Sequence, residues 1–124
     1  MNTEVNEITI NGIEYVRKGA QKEPAEDLDG MKYVIVRTYS AGVFAGYLES
    51  EEGKEVVLRN ARRLWYWSGA ASLSQLAMEG TKKPSECKFP CEVDRIKLTE
   101  AIEIIGTTKK AQKSIQGVAV WEVK

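Results

Sequence analysis

The residues best suited to chemistry form one unbroken run, Arg59-Asn60-Ala61-Arg62-Arg63-Leu64-Trp65-Tyr66-Trp67. A guanidinium grips phosphate oxygens through two parallel N–H donors. An indole or phenol ring offers a flat face on which a base stacks for about 1–3 kcal/mol. Arg59, Asn60, Arg62 and Arg63 together with Trp65, Tyr66 and Trp67 therefore suit a nucleotide-like ligand. If the aromatic run is extended, Trp65 and Trp67 share one face and Tyr66 takes the other, so only part of it enters a core. The alternative is that the tryptophans are core residues, with the arginine stems laid over them and the charges paired to surface carboxylates. Three adjacent aromatics exceed what one small core needs, which keeps binding in view.

A second group is Arg37-Thr38-Tyr39-Ser40-Ala41-Gly42. Small and hydroxyl-bearing residues at a hairpin tip leave backbone N–H groups exposed, and these can cradle an anion. Arg37, Tyr39, Ser40 and Gly42 are its candidate contacts, although an ordinary turn has the same composition. The chain holds neither a G-x-x-x-x-G-K-S/T loop nor a dinucleotide-binding glycine fingerprint. Lys109, Lys110 and Lys113 fit a solvated helix face, and the acid pairs Glu26-Asp27 and Glu51-Glu52 lack the apolar setting that acid–base work requires.

Composition narrows the classes further. Histidine is absent, which removes the side chain best suited to proton transfer near neutrality and the commonest metal ligand. Cys87 and Cys91 flank Lys88-Phe89-Pro90 without the further Cys or His that a structural zinc site needs, and they read as free thiols of a reducing compartment. The expectation is a binding protein with no metal and no cofactor, not an enzyme. Eighteen basic residues balance eighteen acidic ones, so no global field favours duplex DNA. No apolar run nears the roughly 20 residues that span a bilayer, and the polar start Met1-Asn2-Thr3-Glu4 is unlike a signal peptide, so a cytoplasmic protein without membrane contact is expected.

The elements that must position these residues follow from pattern. Glu7-Ile8-Thr9-Ile10 and Ile13-Glu14-Tyr15-Val16 around Asn11-Gly12 predict an N-terminal β-hairpin, and residues 17–30 a polar linker. Residues 1–30 thus form an arm, and residues 31–124 one globular domain. Strands are expected over 32–39, 43–48 and 54–58, with turns at Ser40-Ala41-Gly42 and Glu51-Glu52-Gly53. The run 59–67 is expected to bend into a fourth strand. Residues 70–79 predict a helix of about ten residues capped by Ser72 or Ser68 and stopped by Gly80. Residues 92–105 fit a helix through Leu98, Ile102 and Ile105 but are rich in β-branched residues, which favours two short strands split near Thr99 or Glu100. Thr107-Thr108 caps a basic helix ending at Gly117, and 118–123 predict a closing strand. The fold class is α+β: a small antiparallel meander sheet with two short helices and the hairpin arm.

Tyr33-Val34-Ile35-Val36-Arg37-Thr38-Tyr39-Ser40-Ala41-Gly42-Val43 and Asn60-Ala61-Arg62-Arg63-Leu64-Trp65-Tyr66-Trp67 resemble a family of short proteins of tailed phages and prophages. Gly69-Ala70-Ala71-Ser72-Leu73-Ser74-Gln75 and Leu98-Thr99-Glu100-Ala101-Ile102-Glu103 extend the resemblance to about residues 31–121. That family is similar to the Thoeris anti-defence sponges, phage proteins that form dimers and larger oligomers and sequester glycocyclic ADP-ribose signals, some also holding cyclic oligonucleotides. The resemblance implies a phage-encoded homo-oligomer in the cytoplasm of the infected bacterium that holds a cyclic nucleotide without cleaving it. Two other readings remain. One is an inhibitor of a defence effector, with the Trp-Tyr-Arg cluster as interface hot spot. The other is a single-stranded nucleic-acid binder, which neutral charge disfavours.

Overall fold

The run Tyr33-Val34-Ile35-Val36 has no polar face because its strand is covered on both sides. It lies in β1 (Tyr33–Thr38) of a computed structural model that describes residues 22–124. Tyr33 and Ile35 join one apolar cluster with Leu76, Ala77, Phe89 and Ile115, while Val34 and Val36 join a second. Along the chain follow β2 (Val43–Glu52), β3 (Glu55–Arg63), α1 (Leu73–Glu79), a 3-10 turn (Pro84–Glu86), β4 (Val93–Leu98), β5 (Ala101–Gly106) and α2 (Lys109–Gly117). The five strands pair antiparallel in the order β4-β3-β2-β1-β5, an α+β fold as the pattern predicts. The hairpin expected at residues 7–16 lies outside the described residues.

That order forces the sheet to curl. Laid flat, β4 and β5 would be four strand spacings apart, about 19 Å. Yet only Thr99 and Glu100 separate Leu98 from Ala101, a link that spans about 11 Å at most. The sheet therefore curls into a half-open barrel whose edge strands β4 and β5 share no ladder and meet only at this end, where the Ala101 N–H donates to the Lys54 carbonyl at 3.0 Å and the Tyr39 N–H to the Glu100 carbonyl at 2.9 Å. The second cluster fills the inside, and every strand contributes: Val34 and Val36, Phe44, Val56, Leu58 and Ala61, Leu98, and Ala101. Both helices and the segments around Leu64, Phe89 and Val118 cover the outer face, over Tyr33, Ile35 and Ala45.

A bulge in β3 decides which arginine goes where. Ala45 pairs with Arg62 and Tyr47 with Arg59, so β3 carries one residue more than β2 across this step. The extra residue is accommodated at Asn60, whose φ of 50° is left-handed, a region asparagine tolerates better than most. Upstream, Val56 and Leu58 face inward. Downstream, Ala61 does, and the Arg63 guanidinium lies 4.6 Å from the centre of the inward-facing Phe44 ring. Arg62 and Leu64 are thereby turned to the helix side. Opposite the bulge, a Cβ on Gly46 would come within 3.0 Å of the Ala61 Cα, which is why the position has no side chain.

The helices are capped as their sequences suggest. The Ser72 hydroxyl accepts from the Gln75 N–H at 3.1 Å, and Gly80 ends α1. The Thr108 hydroxyl accepts from the Ala111 N–H at 3.1 Å and donates to the Met78 carbonyl at 2.7 Å, serving the start of α2 and the end of α1 together. The split at Thr99-Glu100 also falls where the pattern puts it. Four expectations need correction. The β2–β3 turn is Gly53-Lys54, not Glu51-Glu52-Gly53, because Gly53 at φ 60° permits a two-residue connection that leaves Glu52 paired with Glu55. Helix α1 has seven residues, not about ten, because Ala70 and Ala71 precede its cap. The run 59–67 splits: its first half prolongs β3, and 64–67 form no strand, holding only the Tyr66–Lys88 bridge. No strand forms over 118–123, which make one bridge, Phe89 to Val120.

The Tyr33 side chain is 2 % exposed and edge-on to Tyr47, and its hydroxyl has no hydrogen-bond partner among the described residues. Burial, reinforced by Glu92, pushes its pKa well above the usual 10. A raised pKa means that the folded state keeps a proton the unfolded state gives up. The stabilisation is complete below about pH 10 and fades as pH climbs further. Tyr33→Phe removes the orphan hydroxyl and is expected to raise stability by about 1 kcal/mol and to abolish part of the alkaline loss. Urea titrations at pH 7 and 10.5 check both; a fall in stability at pH 7 would show that the hydroxyl has a partner.

Candidate functional site

The ten candidate side chains and Gly42 separate into groups once the bulge is in place. Arg62 is 3 % exposed, which corrects the expectation of a surface arginine. Its Nε donates to the Pro90 carbonyl (2.9 Å), Nη1 to Ile115 (2.9 Å) and Nη2 to Phe89 (3.0 Å). One planar fork thus ties β3 to the 87–90 segment and to the last turn of α2, whose partial negative charge favours a cation. Burial lowers the guanidinium pKa, but arginine starts so high that it stays charged. Three of its donors are taken by backbone carbonyls and the group is buried, which leaves it out of reach of a phosphate in solution.

Arg59 and Arg37 are engaged at the surface. The Glu49 carboxylate accepts two bonds from Arg95, at 3.0 and 2.9 Å, and one from Arg59 at 3.4 Å; the Arg95 bonds chiefly hold its pKa below the usual range. Arg37 donates to Glu103 at 2.7 Å, directly across the β1–β5 pairing. Trp67 is half-buried against the outer cluster, and Asn60 has a conformational task. Trp65 (64 % exposed) and Tyr66 (51 %) remain on the surface. Lys109, read as solvated, pairs with Glu23 and Glu26.

Four candidates converge at the closed end of the barrel. A cleft of about 240 Å³ is lined there by Thr38, Ser40, Phe44, Arg63, Lys97 and Glu100, with Ala41, Ile96, Leu98 and Thr99 completing the wall. Arg63 and Ser40 line it, and Tyr39 and Gly42 flank Ser40 and Ala41 on the same turn. The turn is pinned from within. The Thr38 hydroxyl donates to the Gly42 carbonyl at 2.7 Å and accepts from the Ala41 N–H at 2.9 Å, so the anion cradle loses that backbone donor. The Ser40 hydroxyl donates to Glu100 at 3.0 Å. Lys97 pairs with Glu55 at 3.2 Å, whereas Arg63 makes no ion pair among the described residues and keeps its donors for the cleft. An apolar floor, a guanidinium above it and a carboxylate opposite can hold a ligand that presents an anion and a hydroxyl or amino donor together.

Sequence reasoning did not select Phe44, Lys97, Thr99 or Glu100. Phe44 was legible in part, because β2 returns antiparallel from a short turn. The other three, Lys97 near the end of β4 and Thr99 and Glu100 in the link, lie some 60 residues away and are brought to the same end only by the curl of the sheet.

No curated protein and no solved structure matches the chain. One family model does, over residues 31–115, from Met31, two residues before β1, through Ile115, whose carbonyl Arg62 holds. The matched span takes in the whole barrel, α1 and the cleft residues. The chain therefore belongs to the family described as a domain of unknown function, DUF6948.

Proposed function

We propose that this protein binds a small phosphorylated ligand in the cleft at the closed end of the barrel and holds it unchanged. The observation that carries the reading is Arg63, a cation stacked on Phe44 and free of carboxylate partners among the described residues, beside Ser40 and Glu100. The guanidinium takes the phosphate, and Glu100 takes a ribose hydroxyl or a base amino group. The absence of histidine from the sequence supports sequestration over turnover. The resemblance of residues 33–43 and 60–67 to tailed-phage proteins makes a cyclic nucleotide immune signal, such as glycocyclic ADP-ribose, the ligand class, and a phage-encoded sponge in the infected bacterium the role.

The test is a thermal-shift and calorimetric panel of cyclic nucleotides and ADP-ribose isomers, with the bound species recovered and weighed by mass spectrometry. A ligand present at about a hundred times its Kd adds about 2.7 kcal/mol to stability. It should be recovered intact. Arg63→Ala is expected to weaken binding ten- to hundredfold with little effect on folding, because the side chain is exposed. Equal affinity in the parent and Arg63→Ala would move the site elsewhere. Should the parent bind none of the panel, inhibition of a defence effector takes precedence, a reading that the exposed Trp65 and Tyr66 support.

A further inference from the structure

Val118-Ala119-Val120-Trp121-Glu122-Val123 has the composition of a strand but makes one bridge where a strand needs a ladder. The Trp121 N–H donates to the Phe89 carbonyl at 3.0 Å. Backbone groups alternate in direction along an extended segment, so those of Val120 and Glu122 face away from Phe89. Among the described residues they have no backbone partner. Among the described residues the segment therefore presents an open edge.

Beside it lies an apolar surface. The Lys88 ammonium is 5.9 Å from the Tyr66 ring and 5.6 Å from the Trp121 ring, which makes the two rings one patch. Trp121 is 48 % exposed and Val123 99 %. With Tyr66 they leave roughly 400 Å² of apolar and aromatic surface in water. A standard interface takes about 800 Å² from each partner, somewhat over half of it apolar, so this patch supplies the apolar share of one such interface. The patch is also held firmly, since Arg62 bonds the carbonyls of Phe89 and Pro90 directly behind it.

We propose that residues 118–123 pair antiparallel with the same residues of a second copy across a twofold axis, burying Tyr66, Trp121 and Val123 of both protomers. An antiparallel pair of identical segments is self-complementary by symmetry. It satisfies the outward backbone groups and covers the rings in a single step. The pairing is independent of what the cleft binds.

Sedimentation velocity of the full chain between 1 and 100 µM tests it. The expected result is a mass that rises with concentration from 13.9 kDa toward twice that value. Val120→Pro removes an outward donor while sparing the Trp121–Phe89 bond, and Trp121→Glu places a charge in the patch. Each should weaken dimerisation at least tenfold while leaving the melting temperature of the dilute monomer within a few degrees of the parent. A chain that stays monomeric at 100 µM overturns the proposal, as does a dimer indifferent to both substitutions. A monomer that dimerises only after residues 1–21 are removed would assign the face to the chain's own first residues, and would overturn it too.

Discussion

Arg62→Ala is expected to destabilise the fold by about 3–5 kcal/mol, enough to leave a domain of this size largely unfolded near body temperature. The substitution takes a donor from each of three carbonyls and leaves a hole the size of a guanidinium; Phe89 keeps the Trp121 N–H and Ile115 the Val118 N–H, so Pro90 is the acceptor left without a partner among the described residues. A buried acceptor without a partner costs about 1–3 kcal/mol, and the loss is reduced only as far as water can enter. Arg62→Lys keeps the charge but cannot reach three carbonyls lying in different directions, so it should recover less than half of the loss. Urea denaturation of the three proteins provides the measurement, with Arg63→Ala as the neighbouring control that should unfold at nearly the parent midpoint. If Arg62→Ala and Arg63→Ala shift the midpoint equally, the two side chains do not differ in burial as described.

The second large effect is expected at Asn60. A β-branched residue resists φ 50°, so Asn60→Val should cost about 2 kcal/mol, whereas Asn60→Gly, at home in the left-handed region, should stay within a few tenths of the parent. Deleting the residue is a stronger test. Without the bulge, alternation would carry Arg62 into the barrel interior and Arg63 toward the helices, and the chain should not fold. A spectrum like that of the parent from the deletion variant would refute the account of how β3 sorts its arginines.

Much of the architecture was readable from local pattern, since it depends on neighbours in the chain. The caps at Ser72 and Thr108 and the break at Thr99-Glu100 are decided within a few residues, and the structure has them where the pattern puts them. What could not be read depends on contacts across the fold. Arg59, Arg62 and Arg63 are chemically alike in sequence, but one residue in the left-handed region sends them to a surface ion pair, a buried fork and an open cleft. The same holds for residues 118–123, whose composition favours a strand although among the described residues Val120 bridges only Phe89. For the candidate site, the turn at Ser40 and the basic aromatic run were legible as suspects. Their separation into Arg63 at the cleft and Trp67 against the core was not.

The two-residue link between β4 and β5 also bears on how the chain acquires its shape. These strands are neighbours in sequence but cannot zip as a hairpin, because each finds its partner at an opposite edge of the β1-β2-β3 meander. The contacts that set β5 against β1 join positions as distant as Arg37 and Glu103, 66 residues apart, so the entropy of closing a long loop precedes any return. The meander should be structured at the folding barrier and the β5 seam should form after it, giving high φ-values at Ile35 and Ala45 and low ones at Ile104. Because the link ties the two edge strands together, neither can peel away at that end without pulling the other, so amide exchange in β4 and β5 should be slowest beside the link and faster toward their far ends.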